Sequence, residues 1–444
     1  MKNKRLIKMS GGICLVLMIG ILSFIPAFNN PVSAQVKKEI KVGVGISITG
    51  GFAPAGSLRV YRGLMTAIDM VNARGGILGE YIIKPIVADY QSSPDVALRE
   101  IERLINVERV PIIVGCYSSG IAVPASGVCE RNKTIFFITN AISDAVLKGK
   151  HYNYVFRYNR MGSQDARVIE DFLSHNYGKM GIKGVGEIKM AIINEDGPYG
   201  TSVWKAHEGL IKEFGMKLAL HESYPTDIKD MSSIILKIKA SDQNIVQHAG
   251  YFPDTVLFWK QGRLLGLKTR AIIGTGATYC DYPTLEEAVG KGVADYVMLA
   301  DNPPAQMIPR AAITPEAGKL VDEFLSRVLK QYGDKDPSTH YTDGCFHTWA
   351  VYTHVIPLAL KKYGEITPDT MRKAFLEVDV PPQADPRGWG CKFAPPDHEF
   401  SGQNLKAVGT LLQWVKGVQH IAWPKSLQTA PPKFPLPSDS PFAK

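Results

Sequence analysis

From Lys41 onward the chain alternates two hydrophobic periods with little interruption, and that alternation leaves very few architectures open to it. Val42, Val44, Ile46 and Ile48 fall on one face of a strand over 41–48, and Val60, Leu64, Ala67, Ile68 and Val71 then recur at helical spacing until Gly75 and Gly76 stop the helix. Residues 82–89 read as a second strand, Ser93 and Pro94 as N-cap and first helical residue, and Ala97, Ile101, Leu104 and Ile105 as the buried stripe of the next helix. Strands over 112–114 and 134–138 follow, on either side of a helix over 119–130. Four strands with helical crossovers predict a parallel, doubly wound sheet. The rhythm restarts after Arg160, with strands over 190–193, 217–220, 245–248 and 271–273 and helices over 201–214, 231–240 and 254–265, so a second α/β lobe is expected. Asn302-Pro303-Pro304 reads as a linker and 347–360 as an apolar helix. The tail from Thr429, with five prolines by Pro441, either wraps a surface or is disordered.

The first 34 residues set the compartment. Lys2, Lys4, Arg5 and Lys8 precede an apolar run from Ile13 to Ile25 and the small-residue site Val32-Ser33-Ala34, which predicts a cleaved secretory signal over 1–34 and a periplasmic mature chain starting at Gln35. The run falls short of the ~20 residues a membrane span needs, and Pro26 closes it. The formal charge of +9 includes the four leader cations, leaving a mildly basic chain with dispersed Lys and Arg, which excludes a nucleic-acid footprint. Cys116, Cys129, Cys280, Cys345 and Cys391 are too few for a disulfide scaffold. Cys345, at a helix start, and Cys391, in a Gly-rich stretch, are the pair expected to meet; Cys116 and Cys129 flank one helix, out of reach of each other at ~1.5 Å of rise per residue. Neither Cys-x-x-Cys nor His-Glu-x-x-His spacing occurs, so no metal centre is expected, and no cofactor either.

Ligands of open parallel sheets bind outside the carboxyl ends of the strands, where helix N-termini present free N–H groups. The loops there are 49–51, 115–120 and 139–143 in the first lobe and 194–200, 250–254 and 274–279 in the second. The first set offers hydroxyls and amides, among them Ser118, Ser119 and Ser143, which suit a carboxylate or amide; the second offers aromatic walls, Tyr199, Tyr251 and Phe252, which suit a flat or apolar group. Ser118 and Ser119 read equally well as helix caps, and the aromatics as packing. Enzyme signatures fare worse. Gly43-Val44-Gly45 lacks the third glycine of a dinucleotide loop, Gly115–Gly120 is not a nucleophile elbow, and His248, His340, His347 and His354 are scattered.

These stretches, GVGISITGG and RGLMTAIDMVNARGGILG in 40–79, then VGCYSSG, FFITNAISDAV, FRYNRMGSQDA, NEDGPYGTS, GYFPD, LLGLKTRAIIGTGA, DGCFHTWAVYTHVIPLAL and LLQWVKG, occur in an order that resembles the leucine/isoleucine/valine-binding type of periplasmic substrate-binding protein. The resemblance implies a type I fold of two α/β lobes joined by three crossovers, lobe 1 over 35–157 and 303–385 and lobe 2 over 158–302 and 386–444. It implies a monomer closing on a small ligand (an amino acid, an amide or a small organic acid) and passing it to the permease subunits of an ABC importer, without catalysis. Carried over, Ser118 or Ser119 and the backbone around Ala141 with Ser143 would hold a ligand carboxylate, facing Tyr199 and Tyr251 or Phe252. Hinge crossings would lie near Arg157, near Asn302 and between Pro381 and Pro396. Members that bind α-amino acids carry an acid after the strand corresponding to 271–273, whereas here the position is Gly276, with Asp281, Glu195 and Asp196 as possible substitutes. An ammonium closed into a cleft without a counter-charge is costly, so the expected ligand has a carboxylate or amide end and a flat or apolar body, in preference to free leucine, isoleucine or valine. A sensing receptor module of the same fold is the alternative, and a secreted serine hydrolase a remote one.

Overall fold

β1 (Lys38–Ile46), whose last five residues are all buried, is the seed of the first sheet in the computed structural model, which describes residues 37–444; the expected leader lies outside the described residues. β2 (Tyr81–Asp89), β3 (Ile112–Gly115), β4 (Ile135–Ile138) and β5 (Val155–Arg157) complete an all-parallel sheet in the order β2-β1-β3-β4-β5. Its strands are apolar on both faces because both are covered. Val42, Val44, Ile112, Val114, Ile135 and Phe137 pack with α1 (Leu58–Ala73), while Ile113, Phe136 and Ile138 pack with α2 (Pro94–Asn106) and α3 (Ser119–Arg131).

After β5 the chain enters the second lobe through α4 (Gly162–Asn176) and lays down β6 (Lys189–Glu195), α5 (Pro198–Phe214), β7 (Lys217–Tyr224), α6 (Ser232–Ala240), β8 (Ile245–Ala249), α7 (Phe252–Leu264), β9 (Ala271–Thr275), α8 (Tyr282–Val289) and β10 (Met298–Asp301). It then returns to cover the first sheet with α9 (Pro315–Tyr332), α10 (Thr339–Ala350), α11 (Ile356–Tyr363) and α12 (Pro368–Glu377). The single helix expected over 347–360 is α10 and α11 with a wider turn over Val351–Val355 between them, just before Pro357, whose missing N–H cannot serve an unbroken ladder. α1 and α10 touch backbone to backbone: a Cβ on Gly63 would lie 2.1 Å from the Tyr341 carbonyl oxygen, and one on Gly344 2.2 Å from that of Val60.

A small antiparallel pair, β11 (Asp379–Val380) and β12 (Cys391–Lys392), precedes β13 (Thr410–Val415) and β14 (Val418–Trp423), which add to the second sheet as an antiparallel hairpin. Lys416 and Gly417, at φ of 51° and 79°, form its two-residue turn. The seven-stranded order is β14-β13-β10-β9-β8-β6-β7, parallel from β10 to β7. The proline-rich tail wraps this lobe: Thr269 N donates to the Phe442 carbonyl at 2.9 Å, and the Phe442 ring meets Trp259 edge-on at 5.0 Å.

Three segments run side by side between the sheets. Asn159 accepts from Asn302 Nδ2 at 2.8 Å through its side chain and from Gln403 Nε2 at 2.7 Å through its carbonyl. Gln403 and Asn404 form the third of these segments; the sequence expects this crossing between Pro381 and Pro396. Trp389, Cys391 and Phe393 pack into the first sheet's core, so the chain cannot leave that lobe before them.

The expected Cys345–Cys391 contact does not form. All five cysteines among the described residues are buried free thiols; Cys345 points at Met70 Sδ, 3.9 Å away on α1, and Cys391 is fixed in the β11–β12 pair. Thiol titration of the unfolded, unreduced mature protein is expected to count five; fewer would show a disulfide the packing excludes.

Candidate ligand-binding cleft

The carboxyl ends of the two sheets face each other, and the loops leaving them line a small cavity of about 30 Å³. After β3 the chain reverses through Gly115 (φ 125°) and Cys116 (φ 67°); a Cβ at 115 would lie 2.5 Å from the Gly45 carbonyl, so only glycine lets this turn seat Tyr117, Ser118 and Ser119 at the sheet edge. From that lobe Tyr117, Ser119, Asn140 and Ile142 line the cavity; from the other come Tyr199, Tyr251, Gly276, Ala277 and Asp301. Asn159 and Arg160 on a crossing segment, with His340 and Asp343 at the start of α10, form the rest of the wall.

The lobes are closed. Ser118 Oγ and Tyr251 Oη share a hydrogen bond at 3.3 Å, Ser143 Oγ donates to the Pro198 carbonyl at 2.8 Å, and Arg59 Nε pairs with Asp281 at 3.0 Å. The Phe52 and Tyr251 ring centroids are 4.5 Å apart across the mouth. Burial holds the phenols of Tyr117, Tyr199 and Tyr251 well above their ordinary range, so each enters the cavity neutral.

Beneath the rings lies a buried ionic network. Arg160 is held within the protein by four hydrogen bonds, Nε on Asp165 Oδ1, Nη2 on Asp165 Oδ2 (2.8 Å) and the Ala300 carbonyl (3.2 Å), and Nη1 on Asn159 (3.3 Å), and by an ion pair of Nη1 with Asp301 Oδ1 at 2.9 Å. Asp343 accepts from Arg387 Nη1 at 2.5 Å and Asn140 Nδ2 at 2.9 Å. Desolvation pushes the Asp343 carboxyl up to about 6 against the pull of Arg387 and lowers the His340 imidazole below its usual range. Three carboxylates, Asp165, Asp301 and Asp343, face two guanidiniums, so the network carries an excess negative charge once Asp165, whose carboxyl desolvation pushes up to about 7 against the pull of Arg160, is ionised. Asp301 Oδ2, buried and without a hydrogen-bond partner, is where that excess is exposed to the cavity.

Of the residues singled out in the sequence, Ser119, Tyr199, Tyr251 and Gly276 line the cavity, while Ser118, Ala141, Ser143 and Phe252 do not. Ser118 closes the rim on Tyr251; the Ala141 carbonyl accepts from Arg157 Nη1 at 3.3 Å; Ser143 accepts from Ala145 N and ties the lobes together. Tyr251 is the extended N-cap of α7 and turns inward, which sends Phe252, the first helical residue, to a half-buried place outside. The hydroxyls of Ser118 and Ser119 meet Tyr251 and the backbone N–H of Ser143, not an imidazole, so they are no nucleophile pair. Arg160 and Asp343 escaped the sequence reading although both sit in stretches that carried the resemblance, His340 entered it only as one of four scattered histidines, and the sole signal for Asp301 was its place before the Asn-Pro-Pro linker.

Residues 39–409 match the family model described as periplasmic binding protein. The chain is 32% identical over 403 residues to a Leu/Ile/Val-binding protein homolog 7 of Brucella suis, covering 91% of this chain and 96% of that one. Its fold superposes on a leucine binding protein, LivK, of Thermotoga maritima with a TM-score of 0.71 at 17% identity, covering 86% and 97% of the two chains. A solute binding protein of an ABC transporter from R. palustris, solved with 4-hydroxybenzoate, gives 0.67 at 18% identity, covering 86% and 95%. With the matched region taking in the first sheet, the parallel strands of the second and the cleft between them, this chain belongs to the periplasmic binding protein family.

Proposed function

We propose that this chain is the extracytoplasmic substrate-binding component of an ABC importer, closing its lobes on a small solute that presents a cationic or hydrogen-donating head to Asp301 and a flat or apolar body to Tyr117, Tyr199 and Tyr251. Lobe 1 is assigned as 37–157 with 305–402 and lobe 2 as 162–301 with 410–444, the ligand bridging them. The observation that carries the reading is the unpartnered, buried Asp301 carboxylate oxygen in a cavity walled by both lobes. It also revises the ligand expected from Gly276. A Cβ at Gly276 would lie 3.4 Å from Asp301 Oδ2, so the counter-charge missing at that position is supplied at nearly the same place by the neighbouring strand. An ammonium group then has its partner, which favours amino acids and amines, in keeping with the Leu/Ile/Val-binding name of the Brucella relative. Permease subunits are the partners this role requires. The sensing alternative draws on a neighbour described as an extracellular ligand-binding receptor from Rhodopseudomonas palustris HaA2, and an interaction with permease subunits in the native membrane separates the two.

Calorimetric titration of the mature protein across amino acids, amides, amines and carboxylic acids is the test. Amine-bearing solutes are expected to bind, and Tyr251→Ala to weaken them by roughly 1–3 kcal/mol through the lost ring wall and closure bond. Binding confined to anions without an amine would overturn the ligand assignment.

A further inference from the structure

Cys280, Asp301 and His340 converge at one end of the cleft, each buried, each offering a ligand atom within 4.8 Å of the other two. They come from three places: the turn after β9, the end of β10, and the first turn of α10, so lobe closure assembles them. Cys280 Sγ lies 3.2 Å from His340 Nε2 and 3.3 Å from its Nδ1, and the thiol donates to the Ala277 carbonyl at 3.1 Å. His340 Nδ1 lies 3.2 Å from the Ala55 carbonyl, the outer contact that fixes the tautomer and leaves Nε2 to coordinate. Asp301 is oriented in the same way, with Oδ1 held by Arg160 and by the Asn302 N–H at 2.7 Å and Oδ2 left without a partner.

We infer that Cys280, Asp301 and His340 form a three-ligand site for a thiophilic divalent cation, Zn²⁺ in the first instance, with the fourth position open to the cleft. The inference rests on the reading that the cleft takes positive charge beside Asp301; in metal-loaded protein the ion takes Asp301 Oδ2, and the ammonium contact with that oxygen belongs to the metal-free protein. Sulfur, nitrogen and oxygen donors together are the set that holds Zn²⁺. A divalent ion with the Cys280 thiolate cancels the excess negative charge of the network. Three protein ligands and one open position are the arrangement of sites that bind a further molecule through the metal, so a donor atom of the captured solute completes the shell.

The probe is the metal alone. Mature protein stripped with chelator is titrated with Zn²⁺ by calorimetry and with Co²⁺ by absorption, before any solute is added. One equivalent is expected, with a thiolate-to-cobalt charge-transfer band and the intense visible bands of a tetrahedral ion. Cys280→Ser and His340→Gln should each weaken the metal by roughly 100-fold or more, whereas Cys391→Ser, a buried thiol elsewhere, should bind as the parent does. Should His340→Gln fail to fold, Cys280→Ser carries the test, because the hydroxyl preserves the side chain's shape and removes the band. Absence of a stoichiometric site, or a band that survives Cys280→Ser, overturns the inference. Amine-bearing solutes that bind the stripped protein while Zn²⁺ does not would leave the transport reading standing and this one refuted. Zn²⁺ binding with no solute captured by stripped or loaded protein would instead refute that reading.

Discussion

Arg160→Met is expected to destabilise the protein by about 3–5 kcal/mol, the largest loss any single change in the cleft should bring. The side chain is 2% exposed, and Asp165 and Asp301, the carboxylates it separates, are 0% and 3% exposed. Removing the guanidinium leaves both in low dielectric with no cation between them, while the Ala300 carbonyl and Asn159 Oδ1 keep their other donors, Gly276 N and Asn302 Nδ2. Urea unfolding followed by circular dichroism measures the loss. A companion variant, Arg160→Met with Asp165→Leu and Asp301→Asn, deletes the ionic set instead of orphaning it and should recover a substantial part of the stability, since a buried ion pair is worth little against apolar residues of similar volume. Arg160→Met unfolding at the parent's urea midpoint would show that the carboxylates find other partners or stay protonated, and the charge accounting of the cleft would fail with it.

Arg160 illustrates what a sequence alone discloses. The fold was legible because it rests on local periodicity: Val42, Val44 and Ile46 had to face a helix, and Ser93-Pro94 had to begin one. The rim of the cleft was legible in part, since ligands of parallel sheets lie at strand carboxyl ends and Ser119, Tyr199 and Tyr251 occupy loops at those ends. Which of two adjacent residues turns inward was not. Tyr251 and Phe252 differ only in that one caps α7 and the other starts it, and that register is set by where the helix begins, one to two residues before the pattern suggested. The ionic floor was hidden for another reason. Its members fall in four separate stretches, at 160 and 165, at 301, at 343 and at 387, that meet only in the tertiary fold, so no spacing rule links them. The return of Trp389, Phe393 and Ala407 into the first core is likewise a tertiary preference with no local signature. The thiols followed the same logic: Cys345 and Cys391 share one core, yet each is held by its own helix or strand pair.

Asp301→Asn is expected to lower affinity for an amine-bearing solute by roughly 30- to 700-fold, about 2–4 kcal/mol, while leaving the fold intact. The amide is the carboxylate's isostere. Its oxygen can keep the bonds from Arg160 Nη1 and the Asn302 N–H, and Arg160 retains Asp165 as counter-ion, so the network loses a charge without losing its geometry. What changes is the face toward the cavity: the unpartnered oxygen becomes an N–H donor, and the excess negative charge of the network disappears. A cationic head group then meets a neutral donor in a closed, poorly hydrated site and must shed its own water without compensation. Anionic solutes should respond in the opposite direction, gaining affinity as the repelling charge is removed, and this crossing of the two series separates an electrostatic role from general damage to the cleft, which would weaken both. The measurement is calorimetry on matched pairs, an amino acid against the corresponding acid that lacks the amine, in parent and variant with melting curves recorded alongside. Equal affinity of parent and variant for the amine would mean that the ammonium lies elsewhere, and Asp301 would then be a structural partner of Arg160 with no part in recognition.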